Sequence, residues 1–315
     1  LIPAMLFLMS LRFDVAIIRK LGGRLILLCL ASTATIMIGF VVVHVLMQGV
    51  LGDETPLTFA TMSAGWTGGT QNFVAVKEAL AVTDAAMTYT LLMGALCYSV
   101  WLIVIIAMKS FRGRFDNFLR ADDRGLNEVL AAVGNVDRKG SIGLPNLLVM
   151  IGLSLVVSAV SHRVGNGLAE AGLLNPMIWA IIVSSLLGML AAPTRLGKEV
   201  GSDEVSGVML YVIVALIGAE VSLSAIREAP LYIVSGFMIL AVHAVLLLFV
   251  ARLLRMNLHL VGIASIANIG SAPSAAVVGA AYNKALVPVA ILMSLVGSML
   301  GSFVGLTVAE ILIRL

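Results

Sequence analysis

Two short stretches hold most of the residues that could do chemistry. They are Gly65-Trp66-Thr67-Gly68-Gly69-Thr70-Gln71-Asn72 and Asn268-Ile269-Gly270-Ser271-Ala272-Pro273-Ser274. In each, glycine and hydrogen-bonding side chains interrupt apolar sequence. Irregular polar backbone at membrane depth persists only where protein buries it or where it lines an aqueous cavity. Two such breaks in corresponding places of two half-chains point to a solute site of the kind that secondary transporters build. A helix broken there exposes N–H groups at one new end and C=O groups at the other. The N–H end suits an anion; the C=O end suits Na⁺. Thr67, Gln71, Asn72, Asn268, Ser271 and Ser274 offer donors and acceptors to a polar solute or an ion. Gly68, Gly69 and Gly270 let the backbone turn. Thr70 or Asn72 is expected to cap a returning half-helix over 71–82. Ser271 is expected to be the N-cap of the second one, with Pro273 in its first turn. The competing reading is that small residues here only let helices pack closely.

Two ionisable residues lie inside apolar runs. Glu220 falls within the run 205–226 and is a candidate for ion or proton coupling, because a carboxylate in a membrane span is costly and functional by default. Its place near the end of the run equally fits an interfacial carboxylate. His243 sits near the middle of 230–255, where it could relay protons or act as a hydrogen-bonded packing residue. Ser32, Thr33 and Thr35 are expected to bond back to their own helix. No metal-ligand spacing, nucleophile elbow or phosphate-binding loop is present, so the sequence points away from an enzyme and from any tightly bound cofactor. Na⁺ remains the candidate ion.

The elements that must position these residues are membrane spans. The chain has 315 residues, 60% hydrophobic and 12% charged, with a mean hydropathy of +1.08. Apolar runs of about 20 residues read as transmembrane helices. They fall at 24–48, 84–108, 143–161, 175–192, 205–226, 230–255 and 285–312, with 1–11 as the end of a further one. The chain is expected to start partway through a helix of a longer protein. The interrupted stretches are 57–83 and 259–283. The net charge of +3 says little about nucleic acid, because the basic residues fall in inter-helix loops and form no patch; no nucleic-acid partner is expected. Cys29 and Cys97 both lie in apolar runs, so no disulfide is expected.

Segment 109–142 is polar, carries charges of both signs, and reads as a cytoplasmic linker with a short amphipathic helix. It separates a first membrane repeat, 1–108, from a second, 143–315. Arg12 to Arg19 sets against Glu220 to Arg227. Each is followed by an apolar span, a Gly-centred break (Gly69 against Gly270), an Ala-Val pair (Ala75-Val76 against Ala276-Val277) and a last span. If both broken segments are re-entrant hairpins, more of the Lys and Arg residues fall on the cytoplasmic side than if both cross. Parity then makes the two repeats inverted. The predicted fold is therefore an all-α polytopic membrane protein with inverted repeats, each holding a Gly-broken helix that re-enters; a crossing broken helix is the alternative.

The stretch from Thr67 to Leu80 resembles the bacterial integral-membrane family catalogued as domain of unknown function 819. Leu1 to Leu6, Gly22 to Leu25 and Ala267 to Gly270 point the same way. The likeness covers nearly the whole chain, and it implies a bacterial inner-membrane protein and a transporter, with extra N-terminal spans in other members. More loosely, Gly-rich hairpins in inverted halves resemble those of the sodium–glutamate and sodium–citrate symporters. The expected function is Na⁺- or H⁺-coupled symport of a small anionic or zwitterionic solute by alternating, elevator-like access. A cation/proton antiporter with broken crossing helices is the alternative. The expected partners are solute, coupling ion and lipid, and the architecture is compatible with a homodimer.

Overall fold

The computed structural model describes residues 1–11, 22–122, 142–170, 176–219 and 229–315. Among them the regular structure is entirely helical. The helices are α1 (Ile2–Ser10), α2 (Gly22–Met47), α3 (Thr55–Gly68), α4 (Thr70–Ala79), α5 (Asp84–Ala107), α6 (Arg112–Leu119) and α7 (Leu144–Ala169). They continue with α8 (Pro176–Ala191), α9 (Ser202–Ala219), α10 (Ala229–Leu254), α11 (Leu258–Ile269), α12 (Ser271–Tyr282) and α13 (Val287–Arg314). Five are long and apolar enough to cross a membrane: α2, α5 with its continuation to Leu119, α7, α10 and α13. Many large apolar side chains face outward, among them Ile103, Leu148, Val156, Val245 and Phe249. An exterior of that kind belongs in lipid, so this is a multi-pass membrane protein.

Local sequence explains many of the helix starts. Proline sits in the first turn of α1, α3, α7 and α13, where its missing N–H costs nothing. Thr83 caps α5 by accepting from the Ala86 N–H at 3.2 Å. Asn257 caps α11 by accepting from the Leu260 N–H at 3.0 Å.

The chain packs as two compact units. The first comprises Leu1–Ile17, Lys77–Ala81 and Asp137–Glu220; the second comprises Ile18–Val76, Val82–Val136 and Val221–Leu315. Sequential repeats and packing units are thus different divisions of the chain. In the first unit, small residues set the helix spacing. A Cβ on Gly165 would lie 2.6 Å from the Pro176 carbonyl oxygen, and one on Gly188 would lie 2.5 Å from that of Phe7. Backbones that close admit only glycine.

The second unit contains the second broken segment and, apart from Lys77–Ala81, the first. Helices α2 and α10 run antiparallel: Gly39 abuts the Ile239 carbonyl, while Thr35 bonds His243. The first broken segment follows the C-terminal end of α2, and the second follows the C-terminal end of α10. They therefore start from opposite ends of this helix pair. Each returns to where it began. The Thr83 hydroxyl, just beyond α4, donates to Glu54 Oε2 at 2.8 Å, just before α3. The His259 ring at the base of α11 stacks on Tyr282 at the end of α12, with ring centroids 4.4 Å apart. Both segments are re-entrant hairpins, not crossings. They oppose one another as an inverted pair, with α2, α3–α4 and α5 answering to α10, α11–α12 and α13. The stretches Arg12 to Arg19 and Glu220 to Arg227, which opened the sequence alignment of the repeats, lie outside the described residues.

Aromatic packing fixes the first hairpin. Phe40 meets Phe59 and Trp66 with centroids 5.5 Å away in each case, and Tyr89 stacks on Tyr232 at 4.2 Å. The linker helix α6 clamps the base of the second hairpin. Asp116 pairs with Arg112 at 2.8 Å and accepts from the Leu258 N–H at 2.7 Å, at the first turn of α11. The Arg252 guanidinium lies 4.5 Å over the Phe118 ring and donates to the Phe118 carbonyl.

Candidate functional site

Helix α3 ends because Gly69 adopts φ 83°, ψ −178°, a region that is essentially reserved for glycine. At the second break the positive φ, 63°, belongs to Ser271. The two breaks thus match as Gly68-Gly69 against Gly270-Ser271, one residue off the pairing of Gly69 with Gly270 expected from sequence. The two positive-φ residues meet: a Cβ on Gly69 would lie 3.2 Å from the Ser271 Cβ. Hairpins that start at opposite ends therefore touch at their tips.

Beside that contact is a cavity of about 350 Å³. Gly69 and Thr70 line it from the first hairpin, Gly270 and Ser271 from the second, and Thr90, Leu91, Gly94, Ala95 and Tyr98 from α5. Met62, Trp66 and Phe73 give it an apolar wall. The Trp66 Nε1 is buried without a hydrogen-bond partner. The Tyr98 hydroxyl bonds Ser274 Oγ at 2.5 Å, tying α5 to the second tip. Pro273 lies in the first turn of α12 and is exposed, as its place after the break predicts.

The remaining sequence candidates stand behind the tips and mostly face other protein groups. Asn72 donates to the Gly68 and Ser298 carbonyls at 2.8 and 3.0 Å, and its Oδ1 accepts from the Ser302 N–H at 2.9 Å and hydroxyl at 2.6 Å. Gln71 donates to the Gly68 carbonyl at 2.5 Å. Asn268 donates to the Ser32 and Thr33 hydroxyls at 3.0 and 3.3 Å. Thr67 is fully buried, and its hydroxyl has no partner.

Three expectations change here. Asn72 does not cap the returning helix; it lies within it and joins it to α13. That helix runs over Thr70–Ala79, shorter than the expected 71–82, and Ala81 turns through a positive φ of 48°. Ser271 is not an N-cap, since the cap position falls on Gly270 and no side chain fills it. Only Thr35, of the hydroxyls at 32, 33 and 35, is seen to bond its own helix, through the Ser32 carbonyl at 2.9 Å. Ser32 instead donates to the Ala264 carbonyl across 3.1 Å.

Hydrogen accounting settles the state of His243. The Thr35 proton goes to the Ser32 carbonyl, so Thr35 Oγ1 must accept from His243 Nδ1–H at 2.8 Å. The other ring nitrogen, Nε2, then accepts from the Ser265 hydroxyl at 2.9 Å, and Ser265 accepts from Trp101 Nε1–H at 2.9 Å. A neutral ring satisfies every group in this chain. His243 braces α2, α5, α10 and α11 and is not among the residues lining the cavity. Glu220 lies outside the described residues.

Sequence reasoning missed the helix that holds both tips. Gly297, Gly301 and Gly305 recur every four residues on one face of α13. A Cβ on Gly301 would lie 2.6 Å from the Gly68 Cα, and one on Gly305 would lie 2.6 Å from the Ala64 Cβ. The small-xxx-small spacing was the available signal.

A family model described as protein of unknown function, DUF819, matches residues 1–315. The chain belongs to that family. No curated protein and no solved structure matches it. Membership of DUF819 names no activity, and function resides in the site that the fold carries.

Proposed function

We propose that this chain is an ion-coupled secondary transporter, a non-enzymatic carrier of a small anionic or zwitterionic solute in the bacterial cytoplasmic membrane. One observation carries the reading: tips of two opposed hairpins share one cavity of about 350 Å³. That volume is at the small end of ligand pockets, about 300–1,000 Å³. Helices α4 and α12 both begin at its edge, and their first N–H groups favour a carboxylate or similar anion. No Lys or Arg lines the cavity, so these helix ends are the groups that would hold the charge. Met62, Trp66 and Phe73 suit an organic body beside it. Exchange of the cavity between the two membrane faces, by displacement of the hairpin-bearing unit, would move the solute. Lipid surrounds the carrier, and a second copy of the chain is a further partner to look for. The antiporter alternative rests on broken helices that cross, and the return of both hairpins favours symport.

Reconstituted protein tests this. Uptake of a panel of carboxylates, amino acids and short peptides is measured under Na⁺ and proton gradients. Gly94→Leu fills the cavity from α5, and its Cβ meets only the flexible end of Met62, at 3.1 and 3.2 Å. The variant is expected to fold and to lose uptake. Uptake equal to that of the unaltered protein would refute the assignment of this cavity.

A further inference from the structure

Behind the tips, acceptor oxygens from both hairpins meet. Helices α3 and α11 both end at the breaks, so their C-terminal, carbonyl-bearing ends converge there with partial negative charge. The point of convergence is Gly297 on α13. The position its Cβ would take lies 2.3 Å from Asn268 Oδ1 and 2.4 Å from the Thr67 carbonyl oxygen. The orientation of the Asn268 amide follows from hydrogen accounting. Ser32 spends its proton on the Ala264 carbonyl, so it can only accept, and Asn268 Nδ2 must face it. The amide oxygen is thereby turned to Gly297. Thr67, which supplies that carbonyl, also has a fully buried hydroxyl with no hydrogen-bond partner. A buried polar group left unpaired is costly unless something satisfies it.

We propose that Na⁺ binds beside Gly297, between the carbonyl ends of α3 and α11, with the Thr67 carbonyl, the Thr67 hydroxyl and Asn268 Oδ1 among its ligands. Hard cations take oxygen ligands of this kind. Every ligand here is neutral, and among the described residues no cluster of three His, Cys, Asp or Glu exists. A divalent ion, which draws on carboxylates, does not fit; a monovalent one does. Both hairpins contribute, so the ion locks the two tips together. This deepens the transporter reading and rests on it only in making Na⁺ the coupling ion.

The test needs no solute. The thermal midpoint of purified protein in detergent is followed in choline chloride with increasing NaCl, LiCl or KCl at constant ionic strength. A ligand bound only by the folded state raises the midpoint with its concentration. A saturable rise with Na⁺ that K⁺ does not reproduce is expected. Thr67→Val removes the unpaired hydroxyl and keeps the shape. It is expected to match or exceed the parent's midpoint in choline and to need about tenfold more Na⁺ or worse for the same shift, a loss of one hard ligand. Thr67→Ser is expected to keep the Na⁺ response. Equal midpoints in Na⁺, K⁺ and choline, as a resident water would give, overturn the proposal. So does a full Na⁺ response in Thr67→Val. Solute uptake with no Na⁺ response would sink this site and leave the transporter reading standing; a Na⁺ response with no uptake of any solute would do the reverse.

Discussion

Adding one methyl group at Gly301 should separate α13 from the first hairpin. In Gly301→Ala the new Cβ would lie 2.6 Å from the Gly68 Cα, 2.7 Å from Asn72 Cγ and 2.8 Å from Asn72 Nδ2. Carbon atoms rest at about 3.5–4.0 Å, so the helices must part by about 1 Å. Overpacking of this kind costs about 1–3 kcal/mol. The Asn72 side chain bonds α13 at 2.6, 2.9 and 3.0 Å. Parting by that much stretches these bonds to the limit, at about 0.5–1.5 kcal/mol for each one lost. The total is about 2–4 kcal/mol, and at about 2–4 °C per kcal/mol the midpoint falls by roughly 5–15 °C. Thermal unfolding in detergent measures it, with Gly152→Ala as the control, since nothing lies within 4 Å of that Cβ. Part of the clash is with the Asn72 amide, so the Gly301→Ala penalty should shrink in an Asn72→Ala background, a non-additivity expected of touching residues. A midpoint for Gly301→Ala equal to that of the Gly152→Ala control, or strict additivity with Asn72→Ala, would refute the close approach.

Other outcomes follow from the same geometry. Gly69→Ala forces an L-residue into φ 83°, ψ −178° and should destabilise by about 1–3 kcal/mol, read as a lower thermal midpoint. Ser271→Gly relieves a positive φ and should leave the midpoint unchanged or raise it; a clear fall would mean that the Ser271 side chain is needed. His243→Phe removes the acceptor of the Ser265 proton while Thr35 keeps its bond to the Ser32 carbonyl; one stranded donor costs about 1–3 kcal/mol, and the midpoint should fall even where uptake per folded molecule is kept. Tyr98→Phe removes the bond to Ser274 and should raise KM for the transported solute more than it lowers thermal stability; an unchanged KM would separate Tyr98 from the site.

The residue types decided a good deal alone. Apolar runs and sparse charge require a membrane, because only internally bonded helices satisfy their backbone in lipid. Gly68-Gly69 and Gly270-Ser271 announce breaks, since polar, glycine-bearing backbone there must be buried or face a cavity. The count of basic residues in loops already favoured hairpins over crossings. Tertiary structure decided the rest. A local sequence cannot say which partner an amide will find: Asn72, Asn268 and Gln71 offer groups to a solute or an ion, and folding turns Asn72 to Ser298 and Ser302, the Asn268 amide nitrogen to Ser32 and Thr33, and the Gln71 nitrogen to the Gly68 carbonyl. Nor could it register the breaks, because the pairing of Gly69 with Ser271 arises from two tips meeting in space. Gly297, Gly301 and Gly305 look like any small-residue face until α13 is seen to press on both tips. Close backbone approach depends on what stands opposite, and residues more than 200 positions apart in the chain supply that only on folding.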